Sequence, residues 1–455
     1  MGAAAPPVSL DPRTQTTEPP PDDWWRLYDD SRLDALVQEA FRANTNVAAA
    51  EAHFAEARAV LSAVHANRYP ATQLEAGGIY GRDAITDEIL EIGGHPPETL
   101  WLFEDVFRVA YEVDLFGRVH RAIEAANANA DALAAARDGV RVVVAAQTAR
   151  DYAAVCALGE QLEVARHSLD VVSQEANIAR QRHAAGANSE FDVRRASALV
   201  SQVGAAIPLL EGQRRAALFE LTAVLGRTPA QAPHEVEGCV TPPHVAVLLP
   251  VGDGAALLRR RPDVRQAERQ LAAATAQIGV ATAELYPIVH LAGLYGGAAS
   301  ELSQLDTNIG RTWGIGPSVS WTFPNMAGPR ARVRQAKAAQ AAALAAFDGV
   351  VLTALKEVEQ SLSVYGAALE NRRSLVEARD QIQGAFDIAH GEFQAGSVST
   401  LDVLTTEQSL VSLDAAVASA DAALVRGQID VFKALGGGWH NAGSSTPARA
   451  DIPGN

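Results

Sequence analysis

The sequence predicts a mainly α chain with a small β part, made by duplicating one unit of long helical hairpins. Three observations carry that prediction. Marker residues recur in one order in both halves, very long alanine-rich stretches keep a helical period, and two pairs of short segments alternate apolar with polar. Asn46-Val47 with Glu51 returns as Asp263-Val264 with Glu268, Tyr69-Pro70 as Tyr286-Pro287, and Tyr80-Gly81 as Tyr295-Gly296. Ala185-Gly186 and Asp192-Val193 return as Ala395-Gly396 and Asp402-Val403. The period is far too long for a solenoid, so the chain reads as two repeats, 46–225 and 263–435.

Each repeat opens with a helix, Asn46 to Arg68 and Asp263 to Glu284, stopped by a Tyr-Pro pair. Proline has no N–H to donate and pushes the residue before it out of helical geometry. Two strand-like segments follow in each half, about 70–81 with 101–116 and 287–297 with 312–323. Along 103–115 the odd positions Phe103, Phe107, Val109 and Tyr111 are apolar, with Asp105 the exception, while Glu104, Arg108 and Glu112 are even. From Trp313 to Phe323 the apolar face includes Trp313 and Trp321 and the other face is Gly, Ser or Thr. Period two is the strand signature, and aromatics near the segment ends resemble the girdles of a membrane barrel. Phe103, Phe107, Val109, Tyr111, Trp313 and Trp321 are therefore the expected lipid-facing side chains. Four strands cannot close a barrel, and an open edge in lipid leaves backbone groups unsatisfied. Three copies sharing twelve strands fall within the known range.

A long helical pattern then runs from Val119 to Ala185 and again from Arg330 to Ala395. At 1.5 Å per residue the first spans roughly 100 Å, against roughly 90 Å for the two shorter helices of its half laid end to end. Ile123, Ala126, Ala130, Leu133, Val140 and Val144 form a 3-4 seam interrupted by Arg137, the pattern of a coiled coil. Gly186 and Gly396 break the two patterns, and Ser189 and Ser399 can cap the returning helices, about Ser189 to Leu225 and Ser399 to Leu435. These are helical hairpins with tight tips.

Composition narrows the function. The chain has 455 residues, 54 acidic and 38 basic, and 48 % of them are hydrophobic. That is ample for packing and excludes wholesale disorder. A net charge of −16 argues against nucleic acid, which asks for a basic face. Arg259-Arg260-Arg261 is the one basic run, and its setting between Leu258 and Pro262 reads as a structural turn. No GxxxxGK[ST], HExxH or GxSxG motif appears, so no enzyme chemistry and no cofactor is expected. His53 and His65 read as solvated helix residues rather than metal ligands, and Cys156 and Cys239 as buried or inert thiols. Only Met1 and Met326 are available for soft-metal handling, which disfavours metal export. The longest uncharged run, Thr312 to Pro329, is too rich in Gly, Pro, Ser and Thr for a spanning helix, so none is expected. Met1 to Leu10 shows no basic start, apolar core or cleavage site.

The sequence resembles the TolC-like outer membrane efflux proteins, in particular the lipoprotein branch serving tripartite multidrug pumps. The carrying residues are Trp24-Trp25, Leu33, Leu36-Val37 and Asn44 to Val47, then Glu112-Val113-Asp114-Leu115-Phe116-Gly117-Arg118. Leu257 to Val264 with its Arg-Arg-Arg-Pro-Asp-Val core, Glu284 to Pro287, and Gly396 with Leu401-Asp402-Val403-Leu404 complete the set. The resemblance covers roughly Asp22 to Gly438 and implies a homotrimer in the bacterial outer membrane. A shared twelve-stranded barrel would contact outer membrane lipid, and a helical tunnel would fill the periplasm. An equatorial belt would come from an N-terminal extended segment 1–45, a linker 226–262 and a tail 436–455. The implied partners are a periplasmic adaptor and an inner-membrane pump. The adaptor would dock on Gly186, Ala187, Asn188 and Ser189 at one tip and on Gly396, Ser397, Val398, Ser399 and Thr400 at the other. Asp192, Arg194, Arg195 and Asp402 are gate candidates at the tunnel mouth. So is Thr405, which stands where relatives often carry an acidic residue. The branch also carries a signal peptide and an N-terminal Cys. Neither is visible here, so a start that omits them, or a non-lipidated form, is expected. Two other readings compete: an exit duct for type I protein secretion, and a soluble coiled-coil scaffold.

Overall fold

The computed structural model describes residues 15–16, 18–82, 87–88, 91–94, 96, 98–187, 189–245, 249–251, 258–308, 310–395 and 397–437. Two compact units divide the chain. One gathers 1–53, 134–266 and 348–455, the other 54–133 and 267–347. Each unit draws segments from both repeats, because the opening helix of each repeat and the long outgoing helix after its strands belong partly to one unit and partly to the other.

The smaller unit is organised by a four-stranded antiparallel sheet of β2 (Ala71–Gly81), β3 (Leu100–Val113), β5 (Ile288–Ala299) and β6 (Arg311–Ser320), in the order β2-β3-β5-β6. Among the described residues both outer strands, β2 and β6, keep one edge unpaired. The register puts Phe107 opposite Leu74 and Tyr295, and Tyr295 opposite Trp313, so these side chains share one face. Val109 pairs with Gly293, which pairs with Ile315, on the same face. The other face carries Arg108, whose guanidinium lies 3.4 Å from Glu75 and 3.8 Å from Glu104.

The second and fourth strand segments end earlier than their alternation suggested, at Val113 rather than 116 and at Ser320 rather than 323. The reason at Val113 is a helix cap. Asp114 accepts from the backbone N–H of Val119 at 3.1 Å and of His120 at 2.8 Å, while Gly117 turns the chain at φ 77°. Arg118 folds back on Glu112 at 2.8 Å through Nε. Glu112 to Arg118 is thus one strand-to-helix joint, and its residue order is explained by what each caps or pairs with.

The helices are α1 (Ser31–Ala43), α2 (Thr45–Ala66), α3 (Arg118–Ala184), α4 (Glu190–Gly204), α5 (Ala206–Val224), α6 (Pro262–Ala283), α7 (Ala327–Gln394) and α8 (Thr400–Ala434). Residues 1–45 are therefore not simply extended. Asp30 caps α1, accepting from Arg32 and Leu33, and Leu33, Leu36, Val37 and Ala40 form its buried stripe. That spacing is the one an amphipathic helix requires. The returning helix of the first repeat, expected to be continuous, is broken at Ala205. Pro208 cannot donate to the carbonyl four residues earlier, Gly204, so the ladder stops there. On α3 the buried stripe runs through Ile123, Ala125, Ala128, Ala130, Ala132 and Ala135, while Leu133 of the expected seam is 37 % exposed. Contrary to the expectation of none, α7 and α8 each hold a stretch long and apolar enough to cross a membrane by length and composition. Alanine supplies much of that apolar character.

The larger unit has the main core. Trp24 stacks on Phe432 at 5.0 Å, and Leu33, Val37, Tyr152, Leu221, Leu225, Ile429 and Leu435 close around them. Asn44 caps α2 by accepting from Asn46 and Val47, and its amide donates to the Val224 carbonyl at 2.8 Å. Gly226 sits opposite at φ 68°, where any Cβ would lie 2.3 Å from the Ala43 carbonyl oxygen. Only glycine fits there. A short parallel pair, β1 (Gln15–Thr16) with β4 (Leu249–Pro250), completes the unit.

The cysteines are not free thiols. Cys156 and Cys239, 83 residues apart, form a disulfide. The turn carrying Cys239 comes this close because position 159 is glycine: a Cβ would stand 2.1 Å from the Cys239 carbonyl. Arg214 secures the same turn, donating to that carbonyl at 2.7 Å. A structural disulfide fits an oxidising compartment such as the periplasm.

Candidate functional site at the hairpin tips

Tip geometry follows from local sequence. At the first tip Gly186 adopts φ 73°, the Ala187 N–H donates to the Arg182 carbonyl at 2.8 Å, and the Gly186 N–H to His183 at 2.9 Å. This is the double-bonded helix stop that a left-handed glycine permits. The second tip repeats the longer bond, Ser397 N–H to the Glu392 carbonyl at 2.9 Å. Asn188, Gly396 and the side chain of Thr400, three of the expected docking positions, lie outside what is described. Ala187, Ser189, Ser397 and Ser399 are exposed and Val398 is half-buried.

Each returning helix begins with a reciprocal cap. The Asp192 N–H donates to Ser189 Oγ at 3.2 Å and the Ser189 N–H to Asp192 Oδ2 at 3.0 Å. Ser399 and Asp402 repeat the pair at 3.3 and 3.1 Å. The Ser399 hydroxyl and N–H hold the Asp402 carboxyl below the ordinary carboxylate range. Both aspartates are thus occupied as helix caps, stabilised also by the helix dipole. Among the described residues neither pairs with an arginine, although both were gate candidates together with Arg194 and Arg195. Arg194 instead pairs with Glu190 at 2.7 Å, and Arg195 donates to Thr405 Oγ1 at 3.2 Å.

That last contact joins two gate candidates. Arg195 and Thr405 are 210 residues apart, the same offset that relates the tip glycines and the capping aspartates. Equivalent positions of the two repeats therefore touch, and α4 meets α8 one turn behind the caps. Beneath them Val172, Ala176, Ala179, Ala196, Leu199, Val203 and Leu404 form a small apolar core. Arg182 lies 3.8 Å from the Phe393 ring centroid.

Sequence reasoning passed over two features of this end. Phe191 and Leu401, equivalent residues in the first turn after each cap, expose 69 % and 44 % of their surface. An apolar residue directly after a capping box, repeated in both halves, was the available signal. The second feature is Glu407, buried to 1 % beside the apolar cluster with neither carboxyl oxygen hydrogen-bonded. It lies three residues after Leu404 and carries no mark in the sequence that sets it apart.

The remaining sequence candidates are placed as follows. Phe103, Phe107, Val109 and Tyr111 share the apolar face of β3, and Trp313, on the same face of the sheet, is 73 % exposed. Trp321 lies just past β6, stacked on Phe323 at 4.7 Å, its indole donating to the Leu285 carbonyl at 3.2 Å. In the basic run, Arg260 binds the Pro20 carbonyl and Asp22, and Arg261 binds Asp263, Glu357 and the Ala434 carbonyl. The run is a structural joint at the start of the second repeat.

A family model described as outer membrane efflux protein matches residues 36–227 and 255–437. The pyoverdine export outer membrane protein OpmQ of Pseudomonas aeruginosa is 29 % identical over 431 residues, 92 % of this chain and 88 % of that protein. The toluene efflux pump outer membrane protein TtgI of Pseudomonas putida is 28 % identical over 419 residues, 91 % and 87 % of the two chains. The solved structure of the outer-membrane channel OprN matches with a TM-score of 0.87 and 31 % identity, covering 95 % of this chain and 97 % of that one. With both repeats matched and the capped tips and open-edged sheet in place, the chain belongs to the outer membrane efflux protein family.

Proposed function

We propose that the chain is the outer-membrane exit duct of a tripartite efflux system, a passive path whose driving energy comes from an inner-membrane pump. The observation that carries this is the sheet. It presents an apolar aromatic face outward and leaves β2 and β6 each with an open edge. In lipid those edges must be paired. Three chains joined edge to edge supply one closed barrel of twelve strands, with Phe103, Phe107, Val109, Tyr111, Trp313 and Trp321 toward the lipid. The largely unburied apolar stretch of α7, only 6 % of it covered within the chain, supports the same association, since neighbouring protomers would cover it. The tips, with accessible backbone and the exposed Phe191 and Leu401, are the docking surface for the periplasmic adaptor. The Arg195–Thr405 contact is part of the closed mouth. OpmQ and TtgI serve pyoverdine and toluene, two unlike compounds, so selection rests with the pump rather than with the duct.

Light scattering on detergent-extracted protein should give a trimer; a stable monomer with intact strand signal would overturn the shared barrel. Val109→Arg should weaken insertion by roughly 2–4 kcal/mol if it lies near the midplane, whereas Gly316→Arg, on the opposite face, should chiefly change conductance. Pull-down from cells should recover an adaptor and a drug-type pump. Recovery of a type I secretion partner would favour that alternative.

A further inference from the structure

Behind the tips the structure buries a carboxylate that no cation among the described residues neutralises. Glu407 on α8 is 1 % exposed, and both its oxygens lack a hydrogen-bond partner. The charged group acting on it is Glu175 of α3, itself with only 10 % of its side chain exposed. Other charges on the surrounding helices are engaged elsewhere. His390 of α7 lies 3.4 Å from Glu175, Arg182 of α3 sits over Phe393, and Arg180 donates to the Ala176 carbonyl. Arg195 of α4 donates to Thr405, and Asp402 of α8 is held by its cap. No cation within the described residues pairs with Glu407.

A lone buried carboxylate beside a second one cannot stay ionised cheaply: it binds a proton or moves to water. We propose that Glu407 and Glu175 form a proton-sensitive latch on the periplasmic mouth, closed when Glu407 carries a proton and released when it loses it. Loss of the proton leaves a buried negative charge on α8, disfavoured further by Glu175 of α3. That repulsion and the demand of the charge for water are both relieved when α8 moves off α3, which also parts Thr405 from Arg195. Burial and the Glu175 charge push Glu407 up to about 7, so the step falls in the range a periplasm experiences. A hydrated Glu407 returns toward the ordinary glutamate value, so opening releases a proton. By linkage the mouth is then closed more firmly at acidic pH and eased open above neutrality. In the duplicated half the equivalent of Glu407 is Ser197, whose hydroxyl simply donates to the Val193 carbonyl at 2.8 Å. The latch is thus built on one hairpin only.

This rests on reading the tips as the mouth of a duct, and the test separates the two claims. Purified trimer in planar bilayers should show open probability rising on the order of tenfold between pH 5.5 and 8. Glu407→Gln, neutral at every pH, should abolish that rise and keep the low open probability, while Glu175→Gln should shift the rise to lower pH. His390→Gln should retain it, which separates the carboxylates from the nearby imidazole. Trimer assembly on size exclusion checks that each variant folds. A wild-type conductance independent of pH, or an undiminished pH response in well-assembled Glu407→Gln, would overturn the latch. Absence of any channel at any pH, in wild type and variants alike, would instead overturn the duct.

Discussion

The two hairpins share their ends and differ in their middles. Both tips stop the outgoing helix with the same long backbone bond and start the returning one with the same Ser-Asp capping box. Past the first turn the likeness ends. The first returning helix is split at Ala205 ahead of Pro208, whereas the second runs unbroken from Thr400 to Ala434, with Ala418 where the first has proline. Arg195 on one side meets Thr405 on the other, and Ser197 corresponds to buried Glu407. Duplication preserved what the backbone needs locally and let interior positions diverge, because a cap is satisfied by its own residues while a packed face answers to its neighbour. A ring of three such chains would alternate two kinds of hairpin around one mouth.

Mutations can test how deep that difference goes. The largest effect is expected from Ala418→Pro, which gives the second helix the first one's break. An interior proline costs about 3 kcal/mol or more, so thermal unfolding should show a marked loss. The reverse change, Pro208→Ala, should be tolerated and extend helical signal; a loss as large as that of Ala418→Pro would mean the break itself is needed. Next comes the disulfide, which pins the linker after the first repeat and has no counterpart after the second. Cys156→Ala with Cys239→Ala should cost about 2–4 kcal/mol, read by denaturant unfolding, and should expose the linker to protease. Ser189→Ala and Ser399→Ala should each cost about 1 kcal/mol and cost the same. Unequal losses would break the claim that the tips are equivalent. The smallest effect on stability is expected from Arg195→Ala, whose partner is an exposed hydroxyl: unfolding should barely change while single-channel conductance rises. Unchanged conductance would leave the Arg195–Thr405 contact without a gating role.

What could be read from the sequence divides along the same line. Tyr69-Pro70, Gly186, Ser189, Asp114 and the alternating strands announce themselves, because each acts on residues a few positions away. Asp192 and Asp402 were legible as caps for the same reason. Pro208 was legible too, and so was the amphipathic stripe of Leu33, Leu36, Val37 and Ala40, although the stretches around them were expected to be continuous and extended. Cys156 and Cys239 gave no such notice: 83 residues separate them, and their meeting depends on Gly159 and Arg214, which only the folded chain assembles. Glu407 was illegible in another way. On a helix of mixed polarity an acid is ordinarily solvated, and only burial beside the apolar cluster of α3, α4 and α8 removes its water.

The open edges of β2 and β6 also have a genetic consequence. If the barrel is shared among three chains as proposed, a protomer is finished only inside the assembly, so a defective chain is not merely lost but is built in. If a variant with a proline introduced into β2, which has none, is produced at the same level as wild type and mixes freely, only about one trimer in eight is wholly wild type. Such an allele should therefore be dominant, suppressing export in cells that still carry an intact copy, whereas a variant too damaged to reach the edge-pairing step should be recessive.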